Sequence, residues 1–173
     1  MPILYSFKRC PYAMRARMAL YLSKTIVELR EVSLRNKPQS MLEISPKATV
    51  PVLLLDDGSI IDESIEIIDW CIENKKDMFK DTLNKDQELF AEDVIKLFDE
   101  KFKFHLDRYK YASRYENVDA ASHRDACLDI LRTLDKKINN TKWFFSNNVN
   151  KIDISVLPFI RQFRIADPLW FDA

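Results

Sequence analysis

The segment TVPVLLLDDGSIIDES, residues 49–64, contains two short apolar runs separated by a turn signal. Val50–Leu55 and Ser59–Ile61 have the length and composition of strands. Asp57-Gly58 between them is a dipeptide typical of tight hairpin turns. The segment therefore predicts an antiparallel hairpin that turns at Asp57-Gly58.

The residues on either side of the hairpin complete a small α/β domain. Upstream, Pro2–Phe7 and Thr25–Leu34 have the pattern of strands, and Pro11 between them suits the first position of a helix. A short helix is predicted at Gln39–Ile44. Downstream, residues 63–74 carry isoleucines at helical spacing. The chain up to this point therefore predicts a βαβ unit followed by a ββα unit.

The composition changes after residue 75. Residues 76–86 are charged and rich in lysine, and we interpret them as a linker. From there to residue 173, two long stretches have apolar residues at helical spacing, and a last helix is predicted after Asn150. Asn150 can cap that helix, and Asp153 three residues later can close a capping box. Residues 87–173 are therefore predicted to be all helical.

The bulk composition excludes several classes of function. The 173 residues include 47% hydrophobic residues and balanced charge, with 27 basic and 27 acidic side chains, so no basic footprint for nucleic acid or a membrane surface is present. No apolar run approaches the roughly 20 residues that span a bilayer, and no signal-peptide pattern is seen, so we expect a cytoplasmic protein. Gly58 is the single glycine, which excludes glycine-rich phosphate loops.

Cys10 lies between the first predicted strand and the first predicted helix, directly before Pro11. The thiolate is the nucleophilic form of cysteine, and an ordinary free thiol is mostly protonated at neutral pH. Unpaired amides and the partial positive charge of a helix start stabilise a thiolate placed there, and Arg9 adds positive charge. This context favours a reactive thiol. The alternative is an inert packed cysteine, which most free cysteines are.

The residues after Cys10 and the other two cysteines limit the thiol reactions that the chain can carry out. The motif C-P-Y-A places Ala13 where dithiol oxidoreductases carry a second, resolving cysteine, so Cys10 has to act alone. Cys71 and Cys127 lie in the middle of apolar helical stripes and are predicted to be core residues. Three well-separated cysteines argue against a disulfide framework, and we expect reduced thiols.

Three motifs together resemble the soluble glutathione transferase family. They are CPYAMRAR at 10–17, the hairpin segment at 49–64 and DISVLPFIRQF at 153–163. Because Cys10 lies at the first strand-to-helix turn, the chain is most similar to the omega-type and bacterial cysteine-type members. The resemblance implies a thioredoxin-like domain at 1–75 followed by an all-α domain at 87–173. It also implies that the usual final helices of the family are missing from this chain.

The same resemblance implies glutathione as co-substrate, with Cys10 as the nucleophile and no metal. Val50 would pair through its main chain with the cysteinyl part of glutathione, next to a cis-proline at Pro51. Without the family context, Val50-Pro51 would be assigned as trans, because only about 5% of such bonds are cis. The alternative is a proline that simply starts an edge strand.

Two further positions match the glutathione-binding residues of the family. Glu63 and Ser64, at a strand-to-helix junction, would hold the α-amino group and α-carboxylate of the γ-glutamyl end. Plain helix capping is the alternative, and both roles can coexist. Lys37, in the loop before the short second helix, matches the lysine that meets the glycyl carboxylate. A solvated loop lysine is equally compatible with the pattern.

A second-substrate pocket is the weakest of the predicted sites. Tyr12, Phe102, His105 and Tyr109 could line such a pocket facing Cys10, although aromatic residues at helical spacing more often form core. His105 and His123 lie on different helices without metal-ligand spacing, so we assign no metal site.

The resulting prediction is a glutathione-dependent thiol transferase that acts on mixed disulfides or on small oxidants such as dehydroascorbate. The resemblance also implies a homodimer, the usual assembly in that family. One alternative is a conjugating transferase, which usually activates glutathione with Ser or Tyr. The other is a non-catalytic interaction module of the same fold, because fold alone does not decide function.

Overall fold

The computed structural model describes residues 1–75, 79, 81, 83–138 and 141–173. The chain divides into two compact units, Met1–Lys80 and Asp81–Ala173. This boundary falls within 76–86, the predicted linker. Residues 76–78, 80 and 82 of that linker lie outside the described part of the chain.

The first unit is a mixed sheet with helices. Its elements in chain order are β1 (Ile3–Ser6), α1 (Pro11–Leu22), β2 (Glu28–Glu31), α2 (Gln39–Ile44), β3 (Val52–Leu54), β4 (Ile60–Ile61) and α3 (Ser64–Asn74). The strand order is β2-β1-β3-β4, with β2 parallel to β1 and the other pairs antiparallel. The predicted thioredoxin-like order βαβ–ββα is confirmed.

The predicted hairpin is present, and its turn explains its residues. Gly58 has a φ of 86°, a left-handed conformation that glycine adopts at little cost, and its N–H donates to the carbonyl of Leu55 at 3.1 Å. The carboxylate of Asp57 accepts from the N–H of Ser59 at 2.9 Å. β3 is shorter than predicted and begins after Pro51, which has no N–H to contribute to a ladder.

The core of the first unit joins the sheet to α1 and α2. Its largest members include Tyr5 from β1, Met41 from α2 and Val52 from β3, all of which are almost completely buried. Cys10 packs against the edge of this cluster. Helices α1 and α3 also contact each other.

The described residues of the second unit are organised around helices. The elements are α4 (Lys85–Leu97), a π-helical turn (Phe98–Phe102), α5 (Lys103–Lys110), a 3₁₀ turn (Ala112–Arg114), α6 (Ala120–Asp135), α7 (Lys151–Ala166) and α8 (Pro168–Phe171). The predicted all-helical character is confirmed. The stretch predicted as one long helix is interrupted by the π-helical turn, which apolar periodicity does not reveal.

Aromatic side chains fill the core of the second unit. Phe98 and Phe102 stack with ring centroids 4.4 Å apart. Phe159 and Phe163 of α7 meet these two rings edge-on, at centroid distances of 5.9 and 6.0 Å. All four rings are almost completely buried. Their contacts join the π-helical turn to α7.

The start of α7 carries the predicted capping box. The side-chain oxygen of Asn150 accepts from the N–H of Ile152 at 3.0 Å, and Asp153 Oδ2 accepts from the N–H of Asn150 at 3.0 Å. Asp153 Oδ1 also accepts from the N–H of Phe144 at 3.1 Å, which ties the preceding segment to the helix. Burial raises the pKa of Asp153, and the amide donors oppose that shift.

Asp153→Ala should lower the free energy of unfolding by about 1–3 kcal/mol, because two buried amides lose their acceptor. Urea unfolding followed by circular dichroism measures this change. Asp129→Ala is the matched control on α6, where an exposed carboxylate pairs with Arg132. It should change stability by less than about 0.5 kcal/mol. Equal effects of the two substitutions would contradict a structural role for the capping box.

Candidate active site

Cys10 lies at the N-terminal end of α1, as the sequence predicts. Its N–H donates to the carbonyl of Phe7 at 3.0 Å, and its carbonyl accepts from the N–H of Met14 at 3.0 Å. Its side chain makes no capping hydrogen bond to the helix. Instead, the half-buried Sγ lies 3.7 Å from the carbonyl oxygen of Val50.

The turn that carries Cys10 is held by Arg17. The guanidinium of Arg17 donates to the hydroxyl of Ser6 and to the carbonyls of Phe7 and Lys8, the latter two at 3.3 and 3.2 Å. Helical spacing places Arg17 outside the apolar stripe of α1 and predicts that it points along the helix, and this prediction is wrong. The side chain reaches back along α1 and gives the Phe7 carbonyl a second donor besides the N–H of Cys10.

Val50 and Pro51 meet Cys10 from the start of β3. The Val50-Pro51 peptide bond is cis, so this prediction is confirmed. Val50 is buried, and its carbonyl lies next to the thiol of Cys10, although the two residues are 40 positions apart in the sequence. The fold therefore brings together two positions that the sequence assigned to one site.

Glu63 and Ser64 form the start of α3. Glu63 is the exposed N-cap residue, and Lys47 forms an ion pair with it. The same lysine lies 3.8 Å from Asp62, whose Oδ2 accepts from the hydroxyl of Ser45 at 2.8 Å. The hydrogen bond to Glu63 raises the pKa of Lys47. The sequence did not predict Lys47 here, because a loop residue 16 positions away carries no periodic signal.

The side chain of Arg15 contacts Ser64 at the start of α3. Helical spacing places Arg15 outside the apolar stripe of α1 and predicts an exposed side chain, but the side chain is completely buried and the prediction is wrong. The neighbours Ala13, Ala16 and Ala19 are also completely buried, which shows that α1 is enclosed on more than one face. Arg15 Nη1 lies 3.4 Å from Ser64 Oγ, and its guanidinium carbon lies 5.3 Å from the ring centre of Tyr12.

Lys37 and Tyr12 also belong to the first unit. Lys37 is half-buried in the loop that precedes Pro38, the N-cap residue of α2. Tyr12 is half-buried in the first turn of α1, where Arg15 approaches its ring. The contacts of these two residues with a ligand stay predictions.

The remaining pocket candidates lie in the second unit. Phe102 is completely buried, a placement that does not fit an open pocket wall, because its ring is enclosed by the aromatic core. Tyr109 packs against Phe163 at a centroid distance of 5.5 Å, and burial raises the pKa of its hydroxyl. His105 faces His123 and is half-buried.

Cys71 and Cys127 are completely buried, which confirms their assignment to the core. Burial raises the pKa of the Cys71 thiol to about 11 and that of the Cys127 thiol to about 12. The Cys127 thiol donates to the carbonyl of Phe102 at 3.8 Å. Cys10 is thus the only cysteine of the three that solvent reaches.

Within the described ranges, no three His, Cys, Asp or Glu side chains gather in a way that could hold a metal ion. Nor does any helix there have both the length and the apolar character needed to cross a membrane.

Comparisons with known proteins agree with the geometry of the first unit. Residues 4–78 match the family model for the glutathione S-transferase N-terminal domain. Over most of its length the chain is also similar to glutathione S-transferases. Glutathione S-transferase U19 of Arabidopsis thaliana is 28% identical over 165 residues, which cover 93% of this chain and 73% of that protein. Glutathione S-transferase omega-1 of Rattus norvegicus is 25% identical over 168 residues, which cover 92% and 66%.

The fold agrees with the same family. The crystal structure of the tau-class glutathione S-transferase of mango, Mangifera indica, superposes with a TM-score of 0.82 at 22% identity. The match covers 97% of this chain and 78% of that one. The chain is therefore similar to both tau-class and omega-class proteins, and this similarity does not fix the cysteine-type subclass.

Native alkylation by iodoacetamide at pH 7.5 should modify Cys10 alone. Cys71 and Cys127 are buried, and their raised pKa values leave a thiolate fraction below roughly 0.001 at this pH. Both should react once the protein is unfolded in urea. Peptide mass spectrometry identifies the modified thiols, and Cys10→Ser should show no native modification. Native labelling of either buried cysteine at the rate of Cys10 would contradict this assignment.

The two histidines of the second unit form a close pair between α5 and α6. Their Nδ1 atoms lie 2.7 Å apart, so one ring donates and the other accepts. The ring of Phe104 contacts both histidines edge-on. Burial lowers the pKa of His105, and the charges of His123, Lys101 and Arg108 lower it further.

The stability of the protein should fall as the pH drops from about 7.5 to 5. Because the folded-state pKa of His105 lies below its usual value near 6.5, the unfolded chain takes up this proton first. Urea unfolding at several pH values measures the effect. His105→Gln removes the titrating group and keeps an amide for hydrogen bonding, and it should flatten the pH dependence in this range. An unchanged slope in that variant would contradict the prediction.

Proposed function

We propose that this chain is a glutathione transferase enzyme that uses Cys10 as the nucleophile of a thiol transferase. The observation that carries the proposal is the position of the Cys10 sulfur. It is partly exposed at the start of α1 and lies 3.7 Å from the carbonyl of Val50, next to the cis peptide bond of Pro51. A hydroxyl at this position would instead favour conjugation chemistry.

The proposed reaction proceeds by two thiol–disulfide exchanges. The Cys10 thiolate attacks the glutathione sulfur of a mixed disulfide, forms a disulfide with glutathione and releases the substrate thiolate, which takes up a proton. A second glutathione thiolate attacks the glutathione sulfur of that disulfide. Oxidised glutathione leaves and the Cys10 thiolate is regenerated. Ala13 offers no second thiol, so the resolving thiol has to come from solution.

The glutathione chain is proposed to lie across the first unit. The main chain of Val50 pairs with its cysteinyl residue, and the start of α3 binds its γ-glutamyl end. Glu63 accepts from the α-amino group, whose positive charge matches that of Lys47, its present partner. Ser64 donates to the α-carboxylate, and Lys37 binds the glycyl carboxylate. These contacts place the glutathione sulfur against Cys10, which promotes exchange by proximity.

A conjugating transferase is the second candidate function, because the chain resembles a tau-class structure as closely as omega-class relatives. Dehydroascorbate reduction belongs to the first candidate, since it also consumes two glutathione molecules. A homodimer and a cytoplasmic location remain part of the proposal. A non-catalytic interaction module is the outcome expected if neither reaction is measured.

Cys10→Ser should abolish reduction of the mixed disulfide between glutathione and 2-mercaptoethanol, because the hydroxyl cannot form the required disulfide. The rate of NADPH oxidation, coupled through glutathione reductase, measures this loss. Conjugation of glutathione to 1-chloro-2,4-dinitrobenzene should stay constant or rise in the same variant.

Cys71→Ala is the matched control, since it removes a buried thiol far in sequence from the proposed site. It should retain disulfide reduction. Disulfide reduction that survives Cys10→Ser, or is absent from the wild type, would contradict the thiol transferase. Absence of both reactions from the wild type would support the interaction module.

A further inference from the structure

We propose that a surface of the second unit around Arg108 binds an acidic segment of another protein. It consists of Lys101 in the π-helical turn, Phe104 and Arg108 in α5, and Tyr115 directly after the 3₁₀ turn, and we call it the Arg108 surface. All four residues belong to the second unit and none takes part in the proposed chemistry of Cys10. The inference is therefore independent of the glutathione site.

The balanced charge of the whole chain conceals an uneven distribution. Residues 101–115 contain five basic side chains and one acidic side chain, namely Lys101, Lys103, Arg108, Lys110 and Arg114 against Asp107. Acidic residues flank this segment on both sides, so the excess of positive charge is local. Asp107 forms an ion pair with Lys103. Within the part of the chain that the structure describes, no carboxylate pairs with Lys101, Arg108 or Arg114.

Arg108 lies at the centre of this surface and contacts two aromatic rings. Its guanidinium carbon lies 3.5 Å from the ring centre of Phe104 and 4.7 Å from that of Tyr115, and both distances are within the range of a cation–π contact. Phe104 is 46% exposed and Tyr115 is 37% exposed, so a partner can reach both rings. The two rings hold the guanidinium at the surface.

The donors of Arg108 indicate what the surface can bind. A guanidinium has five N–H donors at its edge, and contact with an aromatic face does not use them. Among the described residues, the carbonyl of Phe104 is the one acceptor for Arg108, 3.3 Å from Nη1. The charges of Lys101 and Arg108 both lower the pKa of His105, so the two cations lie near the same ring. A carboxylate can accept two parallel hydrogen bonds from such an arginine, with Lys101 as a second positive charge.

An acidic protein segment fits this surface better than a single-stranded nucleic acid does. Base stacking needs uncovered ring faces, but Arg108 covers a face of both Phe104 and Tyr115. Nucleic-acid affinity also depends on many phosphate contacts, whereas the whole chain has no net positive charge. Arginine and tyrosine are enriched at the energetic centres of protein interfaces, and opposite charge steers a partner to them. The expected segment carries carboxylates beside an apolar side chain.

Three labelled probes test this proposal. The first is a fluorescein-labelled peptide of about ten glutamates around one phenylalanine, the second has glutamine in place of glutamate, and the third is a single-stranded oligothymidylate of equal length. Fluorescence anisotropy measures the dissociation constants. The glutamate peptide should bind at least tenfold more tightly than either of the others. Its binding should weaken as NaCl is raised from about 50 to 150 mM, because salt screens exposed charges.

Substitutions separate a specific site from general attraction by charge. Arg108→Gln should weaken binding of the glutamate peptide at least tenfold, and Arg108→Lys, which keeps the charge without the planar fork, at least threefold. Tyr115→Leu keeps every charge and should also weaken binding at least threefold, because one ring that holds Arg108 is lost. Arg132→Gln is the matched control. It removes an exposed arginine of the same unit that pairs with Asp129, and it should change binding less than twofold.

Four results would each overturn the proposal. Equal weakening by Arg108→Gln and Arg132→Gln would mean unspecific attraction, and equal affinity for the oligothymidylate would mean a nucleic-acid surface. The third is no binding of the glutamate peptide at low salt. The fourth is a smaller sedimentation coefficient of Arg108→Gln than of the wild type, which would assign the surface to contact between copies of this chain. If Arg108→Gln does not fold, as judged by circular dichroism, Arg108→Lys and Tyr115→Leu decide by the same limits.

Discussion

The contact between the Cys10 sulfur and the Val50 carbonyl depends on most of the first unit. Cys10 reaches this position because β1 ends at Ser6 and α1 begins at Pro11, which leaves a short turn whose carbonyls are held by Arg17. Val50 reaches it because β3 pairs antiparallel with β1, which fixes where the chain enters the strand. A slip of that register by one residue would reverse the side chains of β3 and move the Val50 carbonyl away from the thiol.

Among the described residues, each unit buries one charged side chain, Arg15 in the first and Asp153 in the second, and the two have different roles. Asp153 is an acceptor for the amides of its own unit, so its hydrogen bonds are complete within the fold. Arg15 is a donor to the hydroxyl of Ser64, so it connects α1 to the start of α3. The first arrangement closes a network and stabilises the helical unit. The second joins two helices of the first unit.

The sequence predicted the features that local rules control. The hairpin at Asp57-Gly58, the bounds of α2 and the capping box of α7 all follow from residues within a few positions of each other. Other features depend on side chains that meet only when each unit has folded. These features are the burial of Arg15, the hydrogen bonds of Arg17 to its loop and the His105–His123 pair. Periodicity alone assigns charged residues to solvent, so it could not place an arginine in the interior.

The shared fold leaves the chemistry open, because relatives of the tau and omega classes match this chain to similar extents. A helix start stabilises either a thiolate or the anion of bound glutathione, and the side chain before Pro11 decides which of the two is formed. A hydroxyl there can only donate to the glutathione sulfur, whereas a thiol can form a bond with it. The identity of one atom at Cys10 therefore separates two reaction classes that the same backbone can support.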